Sequence, residues 1–201
     1  MSNLPITVIY RNKFITESLK ASSEIKLRIL EKCSAEISRA IDILLDAMRD
    51  GGKVMLCGNG GSAADAQHLA AEFIIRLSPR IKRKGLPAIA LTTDTSILTA
   101  GANDFGYNNI FARSVEALGR KGDVLIGIST SGASESINLA FQKARDMGII
   151  TIGFLGKDGG RSKDLVDLAI IMPSNDTQRI QEGHITIGHI IFQEVEDELF
   201  G

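Results

Sequence analysis

Hydrophobic residues recur every three or four positions through most of the first fifty residues. The spacing holds from Ile25 to Met48, which predicts helices with one buried face in an N-terminal region at about 1–50. The pair Gly51-Gly52 interrupts the pattern, and glycine commonly follows the last turn of a helix. We therefore expect the helical region to end there.

After residue 52 the pattern changes to short, uninterrupted apolar runs. Such runs are typical of strands that are buried on both faces of a sheet. The runs cover residues 54–57, 88–91, 124–128, 149–154 and 168–172, and helices are expected at about 62–78, 95–103, 108–118, 134–147 and 177–199. Alternation of strands and helices predicts an α/β fold with a five-stranded parallel sheet. No internal repeat or linker interrupts it, so we expect a single domain over 1–201.

Composition narrows the classes of partner. The 201 residues carry 23 Lys+Arg against 24 Asp+Glu, a net charge of −1, so there is no bulk positive field to attract nucleic acid or anionic lipid. No eighteen apolar residues run together, so no membrane span is expected. Cys33 and Cys57 form no disulfide framework, which favours a reduced, cytoplasmic protein.

One cluster of basic residues could suggest a nucleic-acid site. It lies before the second apolar run and comprises Arg80, Lys82, Arg83 and Lys84. A short run of charges between two elements is more often a solvated loop, and we prefer that interpretation.

Two loops carry the candidate chemistry, and each follows an apolar run and opens into a helix. The first is Cys57-Gly58-Asn59-Gly60-Gly61-Ser62, whose glycines let backbone N–H groups approach a ligand and whose Ser62 suits an N-cap or a ligand hydroxyl. The second, from Ser129 to Ser134, has four hydroxyls. In a parallel sheet, ligands bind at the carboxyl ends of the strands. The two loops therefore predict a phosphate site, although each could be only a capped turn.

The first loop also matches a dinucleotide-binding fingerprint through Gly58, Gly60 and Ala63. That fingerprint requires an acidic residue about 20 positions further on. The candidate, Asp94, is 36 residues after Gly58, and the hydroxyl loop has no place in the fingerprint. We therefore expect no nucleotide cofactor.

Histidines and a carboxylate lie on two of the predicted helices. His68 and Glu72 are four residues apart, so they share one helix face and could bind a metal or transfer protons, although such a histidine is more often a packed or surface residue. On the last helix, His184 lies about 140° from His189, so one site is not expected to use both. Gln181 and Glu182 are also on this helix. Helix geometry places Glu182 nearer the face of His189 and leaves open which of the two reaches the site.

Five segments in chain order carry a family resemblance. They are CGNGGSAADAQHLAAEF at 57–73, GANDFGYNNIF at 101–111, GDVLIGISTSGASES at 122–136, GKDGG at 156–160 and RIQEGHITIGHI at 179–190. In these segments the chain resembles the sedoheptulose-7-phosphate isomerases, or phosphoheptose isomerases, of the sugar-isomerase (SIS) domain superfamily. The resemblance implies a three-layer sandwich: a five-stranded parallel sheet flanked by helices and preceded by N-terminal helices.

The resemblance also implies an activity and partners. The activity is conversion of D-sedoheptulose 7-phosphate to D-glycero-D-manno-heptose 7-phosphate, the first step towards the ADP- or GDP-heptose precursors of bacterial surface glycans. The partners are the phosphorylated seven-carbon sugar and the chain itself, as a homotetramer with sites between subunits. The resemblance implies one zinc ion per subunit. It implies neither nucleic acid nor a membrane as a partner.

Site residues follow from the same resemblance. Glu72 and His189 would transfer protons, and zinc would be held by His68, Glu72, Gln181 and His189. This choice of Gln181 over Glu182 comes from the resemblance and not from geometry. The substrate would contact Asn59, Gly60, Gly61, Ser62, Glu72, Asn103, Asp104, Ser129, Thr130, Ser131, Ser134 and Gln181.

A second function is possible on the same scaffold. A related SIS-domain protein is a non-catalytic adaptor that binds the bacterial replication initiator. In sequence, Ser62-Ala63-Ala64 and residues 91–100 resemble this adaptor somewhat more than the enzyme. The adaptor is expected to lack the full proton-transfer set, whereas this chain has both Glu72 and His189. We therefore favour the enzyme.

Overall fold

The centre of the structure, a computed structural model that describes residues 6–201 and the side chains from residue 10, is a parallel sheet. All neighbouring strands run in the same direction, in the order β2-β1-β3-β4-β5. The strands are β1 (Val54–Gly58), β2 (Ala88–Ala90), β3 (Val124–Ser129), β4 (Ile150–Leu155) and β5 (Leu168–Ile171). The predicted five-stranded parallel sheet is confirmed, and each strand end lies within one residue of its predicted position.

Helices cover both faces of the sheet. They are α1 (Ile6–Arg49), α2 (Gly61–Ile74), α3 (Thr95–Phe105), α4 (Ile110–Leu118), α5 (Glu135–Asp146) and α6 (Thr177–Phe200), with short 3-10 turns at Tyr107–Asn109 and Ser162–Asp164. In β1, Val54 and Leu56 pack in a core with α1, α2 and α6, whereas Met55 and Cys57 pack in a second core with α4 and α5. Every residue of β1 and β3 is buried, because successive side chains point to opposite sides of the sheet and helices cover both sides. The predicted three-layer sandwich is confirmed.

The N-terminal region differs from the prediction in one respect. Instead of several helices, one helix of 44 residues runs from Ile6 to Arg49, and residues 1–5 lie outside the described part of the chain. Among the α1 side chains that the structure describes, from residue 10 onward, the buried apolar ones begin at Ile25 and continue to Ala47. The helix ends before the turn at Gly51-Gly52, as predicted, with the Gly52 N–H donating to the Ala47 carbonyl at 2.8 Å. No helix in the described part of the chain is long and apolar enough to cross a membrane.

Helix α2 ends earlier than predicted because a buried arginine outside the helix, Arg83, donates hydrogen bonds to carbonyl groups of its last turn. Its final carbonyls, on Glu72 and Phe73, each receive a hydrogen bond of 2.8 Å from the Arg83 guanidinium. The Leu86 N–H donates to Phe73 as well, at 2.9 Å. With these acceptors already satisfied, the chain leaves the helix at Ile74 and not near residue 78.

Arg83 also corrects the interpretation of the basic cluster as a solvated loop. Its side chain is completely buried, and its Nε lies 3.2 Å from Oε1 of Glu196, which is also buried on α6. The Glu196 carboxylate further accepts a hydrogen bond from the Leu77 N–H at 3.0 Å. The loop that joins α2 to β2 is therefore fixed to α6 by its own arginine.

Helices α2 and α6 pack unusually closely at a glycine. A Cβ at Gly188 of α6 would lie 2.7 and 2.8 Å from the two methyl carbons of Leu69 on α2. One turn further along each helix, the rings of Phe73 and Phe192 lie 4.0 Å apart between centroids. Only a residue without a side chain at 188 allows this separation of the two helix axes.

We predict that Gly188→Ala is less stable than the matched variant Gly101→Ala. Both replace a helical glycine, so both gain roughly 1 kcal/mol of helix propensity. At Gly101 the new methyl would meet Ile110 at 3.3 Å, which is tolerable, whereas at Gly188 it overlaps Leu69. Overpacking costs about 1–3 kcal/mol. Urea unfolding at one fixed protein concentration should show this difference, and equal stability of the two variants would contradict the packing argument.

Candidate active site

The two loops that the sequence singles out start side by side at the carboxyl edge of the sheet. Gly58, the last residue of β1, is paired with Ile128 of the neighbouring β3. Just beyond, the Asn59 Nδ2 donates hydrogen bonds to Ser134 Oγ at 2.9 Å and to Ser136 Oγ at 3.0 Å. The glycine loop and the hydroxyl loop are therefore joined directly by one side chain.

The glycine loop begins α2 without a side-chain cap. Gly60 occupies the N-cap position with φ of 57°, and its backbone carbonyl accepts from the Ala63 N–H. The suggestion that Ser62 is the N-cap is wrong, because Ser62 is the second residue of the helix and is 6% exposed. A Cβ at Gly58 would lie 2.4 Å from the Ser62 carbonyl, so the tight turn explains that glycine.

In the hydroxyl loop, two of the four hydroxyl groups stabilise the loop itself. Ser129 Oγ accepts from the Gly132 N–H at 3.1 Å, and Ser131 Oγ accepts from the Ala133 N–H at 3.2 Å. Gly132 has φ of 63° and packs against the backbone of residues 159–160, where a Cβ would lie 2.1 Å from a carbonyl oxygen. The GKDGG segment thus supports the hydroxyl loop from behind. Ser129 is buried, while Thr130, Ser131 and Ser134 are half-buried.

His68, Glu72 and His189 meet where α2 crosses α6. Oε1 of Glu72 lies 3.0 Å from Nε2 of His68 and 3.3 Å from Nε2 of His189. The two Nε2 atoms lie 3.0 Å apart. The carboxylate is 14% exposed, and its Oε2 is buried without a hydrogen-bond partner.

These three side chains can hold a metal ion. One ligand atom from each lies within 4.8 Å of the others. Two ligands at about 2.0–2.1 Å from a tetrahedral ion are about 3.4 Å apart, close to the observed separations. Two Nε2 atoms 3.0 Å apart cannot both carry a hydrogen between them. A cation that accepts a lone pair from each nitrogen suits this arrangement.

Gln181 and Glu182 line the same cavity but make different side-chain contacts. The Gln181 amide packs on the start of α2, so closely that a Cβ at Gly61 would lie 1.9 Å from its Nε2. Glu182 instead pairs with Arg179 on its own helix and does not belong to the cluster of His68, Glu72 and His189. Glu182 is therefore the less suitable of the two residues between which helix geometry left the choice open. His184 faces the sheet, buried, with its Nε2 3.0 Å from the Leu155 carbonyl.

The remaining polar candidates are Asn103 and Asp104 on α3 and Asp94 at its N-cap. Asn103 and Asp104 are exposed in its last two turns, where the Asn103 amide donates to the Asp104 carboxylate at 2.8 Å. Asp94 caps the first turn of α3 by accepting from the Ile97 N–H at 3.0 Å. That capping bond gives Asp94 a role that has no connection with a nucleotide.

Two polar residues at this edge were missed by sequence reasoning. Burial raises the pKa of Asp65 to about 6, against the opposing effects of His68 and the Gln181 amide, and Asp65 lines a cavity of about 330 Å³ with Gln181. Tyr107 donates to Asn59 Oδ1 at 2.7 Å. Asp65 could have been found by its position one turn from His68 on the same helix, whereas no sequence signal places Tyr107 next to Asn59.

Comparison with known proteins identifies relatives over nearly the whole chain. The SIS domain profile matches residues 19–156. A phosphoheptose isomerase from Clostridium acetobutylicum is 57% identical over 190 residues, which is 94% of this chain and 96% of that protein. The structure of a phosphoheptose isomerase from Neisseria gonorrhoeae is 37% identical with a TM-score of 0.87, over 92% of this chain and 98% of that one.

A second solved structure agrees with the first. The phosphoheptose isomerase from Francisella tularensis is 33% identical with a TM-score of 0.89, and the match covers 93% of this chain and 98% of that chain. Identity well above 30% over more than nine-tenths of the chain establishes common descent as well as a common fold. The chain belongs to the phosphoheptose isomerase family of SIS-domain proteins.

Proposed function

We propose that this protein is an aldose–ketose isomerase that converts D-sedoheptulose 7-phosphate to D-glycero-D-manno-heptose 7-phosphate. The observation that carries the proposal is the carboxylate of Glu72 held between the imidazoles of His68 and His189, on the same molecule as a phosphate-type loop pair. The family of the chain supports it, because the relatives described above are named phosphoheptose isomerases. The product would supply heptose for bacterial surface glycans.

The reaction moves a proton from one carbon to its neighbour. A base removes the proton from C1 of the ketose to give an enediol and returns it to C2. Glu72 is assigned this role because its carboxylate is 14% exposed and its Oε2 has no hydrogen-bond partner in the chain, which leaves lone pairs to accept a proton. The mostly enclosed carboxylate is also shielded from bulk water, which limits loss of the proton to solvent.

A second group must protonate and deprotonate the substrate oxygens. His189 is assigned this role, since its ring is 45% exposed and lies beside the Glu72 carboxylate. An imidazole nitrogen can either donate or accept a proton, so one ring can serve both steps of the cycle. The two helices therefore each contribute one of the proton-transfer groups.

The phosphate end of the sugar is assigned to the hydroxyl loop and the start of α5. Ser129, Thr130, Ser131 and Ser134 would surround it, and the positive end of the helix dipole favours the anion. Asn59, Gly60, Gly61 and Ser62 on the glycine loop, with Asn103, Asp104 and Gln181, would contact the sugar.

Zinc is the metal we assign to His68, Glu72 and His189, with Gln181 as the fourth ligand. Two imidazole nitrogens and a carboxylate oxygen are a donor set that zinc accepts, and catalytic zinc sites commonly use three protein ligands of these types. When bound, the ion would polarise the substrate oxygens during isomerisation.

We further propose a homotetramer in which α1 and α6 pack between subunits. An apolar groove of about 360 Å³ between these helices is lined by Ile29, Leu30 and Ile190, and Leu30 is 67% exposed. Glu72 lies eleven residues beyond Gly61, about 16 Å along the axis of α2. That separation from the phosphate loops favours sites built from more than one subunit.

The adaptor function has less support. A protein that only binds a replication initiator has no need of a carboxylate placed between two histidines. The relatives compared above are also isomerases by name. Turnover of the heptulose phosphate by the purified protein would separate the two functions.

We predict that Glu72→Gln lowers kcat for sedoheptulose 7-phosphate by about 10²–10⁴-fold, the usual contribution of general acid–base catalysis. Glutamine keeps the size and hydrogen-bonding capacity of glutamate but cannot accept the proton. The matched control is Glu116→Gln, an exposed glutamate paired with Arg113 and Lys143, which should keep parental activity. Metal content must be measured alongside, and turnover within a few-fold of the parent would refute the assignment.

We predict one zinc ion per chain in the purified protein, measured by inductively coupled plasma mass spectrometry. Exhaustive chelation should abolish turnover, and added zinc should restore it. His68→Ala should lose the metal, because it removes one of the nitrogen ligands. Full activity in metal-free protein would leave these side chains as acid–base groups only.

We predict a mass of four chains by light scattering at micromolar concentration. Replacing Leu30 with Glu would place a charge in the apolar groove and should shift the mass toward smaller species. Glu24→Gln, an exposed position one to two turns earlier on α1, is the control. A monomeric parent protein would rule out the tetramer.

A further inference from the structure

Asn59 is the centre of a four-residue hydrogen-bond network. Its Nδ2 donates to Ser134 Oγ and Ser136 Oγ, and its Oδ1 accepts from the Tyr107 hydroxyl at 2.7 Å. The two serine oxygens lie 3.2 Å apart. Both amide hydrogens of Asn59 are therefore used inside the protein.

Ser134 occupies an N-cap position without capping its helix. A serine in this position ordinarily accepts a hydrogen bond from a backbone N–H of the first turn. Here its side chain makes no capping bond to α5, and its oxygen accepts from Asn59 instead. The N–H groups of the first turn of α5 are left for another acceptor, and the Ser134 hydroxyl hydrogen is free for a ligand when Ser136 is the donor in the contact between the two serines.

The direction in which Asn59 points its amide decides what the serines can offer. With the NH₂ group toward them, the serine oxygens accept and their hydrogens can be donated to an anion. With the carbonyl toward them, the serines would donate to Asn59 and present only lone pairs to a phosphate. The observed direction is thus the one that suits phosphate binding.

Tyr107 distinguishes these two directions. A phenol is a good hydrogen-bond donor and a poor acceptor, because its oxygen lone pair is delocalised into the ring, so it favours the carbonyl of Asn59 facing it. We propose that Tyr107 is a positioning residue that fixes the direction of the Asn59 amide and thereby turns the Ser134 hydroxyl into a donor for the substrate phosphate. The inference rests on the proposed function, since it assigns the phosphate to this loop.

The location of Tyr107 fits a role in positioning. It begins the 3-10 turn after α3, and the adjacent Phe105 ring lies 4.6 Å from the Arg113 guanidinium, which fixes this turn to α4. Tyr107 is 53% exposed, so its hydroxyl contributes little to the core. Removing the hydroxyl should therefore change the network without unfolding the chain.

The test is Tyr107→Phe, with inorganic phosphate as the probe in isothermal titration calorimetry. A net hydrogen bond contributes enough to predict an increase of about 2- to 10-fold in the Kd for phosphate. KM for the sugar phosphate should rise by the same factor, while kcat stays within about two-fold because the proton-transfer groups are untouched. The matched control is Tyr10→Phe, which removes the hydroxyl of the other tyrosine and should change neither value.

A double-mutant cycle shows whether Tyr107 acts through Ser134. In a Ser134→Ala background, Tyr107→Phe should leave the phosphate Kd unchanged, because the hydroxyl it directs is gone. The same loss in both backgrounds would mean that Tyr107 contacts the ligand directly, and an unchanged Kd in the single variant would mean that it directs nothing. Either result overturns the inference.

Phosphate binding does not require turnover, so this test is separate from that of the proposed function. A protein that binds phosphate in a Tyr107-dependent manner but leaves sedoheptulose 7-phosphate unchanged would retain the positioning role and lose the isomerase assignment. If the protein isomerises the sugar but Tyr107→Phe changes neither KM nor the phosphate Kd, the isomerase assignment is retained and the positioning role of Tyr107 is lost.

Discussion

The close contact between α2 and α6 at Gly188 is the constraint on which the geometry of the site depends. Leu69 follows His68 directly, and His189 follows Gly188 directly, so the point where the helices touch is also the point where the two imidazoles meet. Without a Cβ at residue 188, Leu69 lies against the backbone of α6, and the Nε2 atoms come within 3.0 Å. Any side chain there would separate the helices and the ligand atoms together.

The same two helices are joined again further along, by the stacked rings of Phe73 and Phe192 and then by the buried pair of Arg83 and Glu196. A buried ion pair contributes little net stability, because desolvation offsets the attraction, but removal of one partner is costly. Arg83 therefore matters mainly because it fixes the relative positions of α2 and α6, and less for net stability. It donates to the carbonyl of Glu72 while its guanidinium lies against Glu196, so one side chain fixes the helix that carries the carboxylate to the helix that carries His189.

The sequence predicted what depends on local pattern. Strands buried on both faces appear as unbroken apolar runs, and Gly51-Gly52 marks a helix end, so the sheet and the end of α1 were foreseeable. Contacts between segments that are distant in sequence could not be predicted in this way. Periodicity could not show that Arg83 is buried, since an arginine looks solvated until its partner at residue 196 is in place, nor that Glu182 pairs with Arg179. The family resemblance, and not helix geometry, favoured Gln181. Neither the resemblance nor helix geometry indicated the contact of Tyr107 with Asn59.

The residues proposed for ligand binding and those proposed for proton transfer lie on different parts of this fold. The glycine loop and the hydroxyl loop extend from β1 and β3, whose ladder fixes backbone N–H groups and short hydroxyl side chains at the sheet edge. The carboxylate and imidazoles depend on helix packing, which is set by residues 69, 73, 188 and 192. A change in the loops should therefore alter affinity with little effect on the proton-transfer groups, whereas a change at the helix contact should alter their spacing with little effect on the loops. In the proposed function, the edge of the sheet would hold the phosphate, while the packing of the helix pair would determine the chemistry.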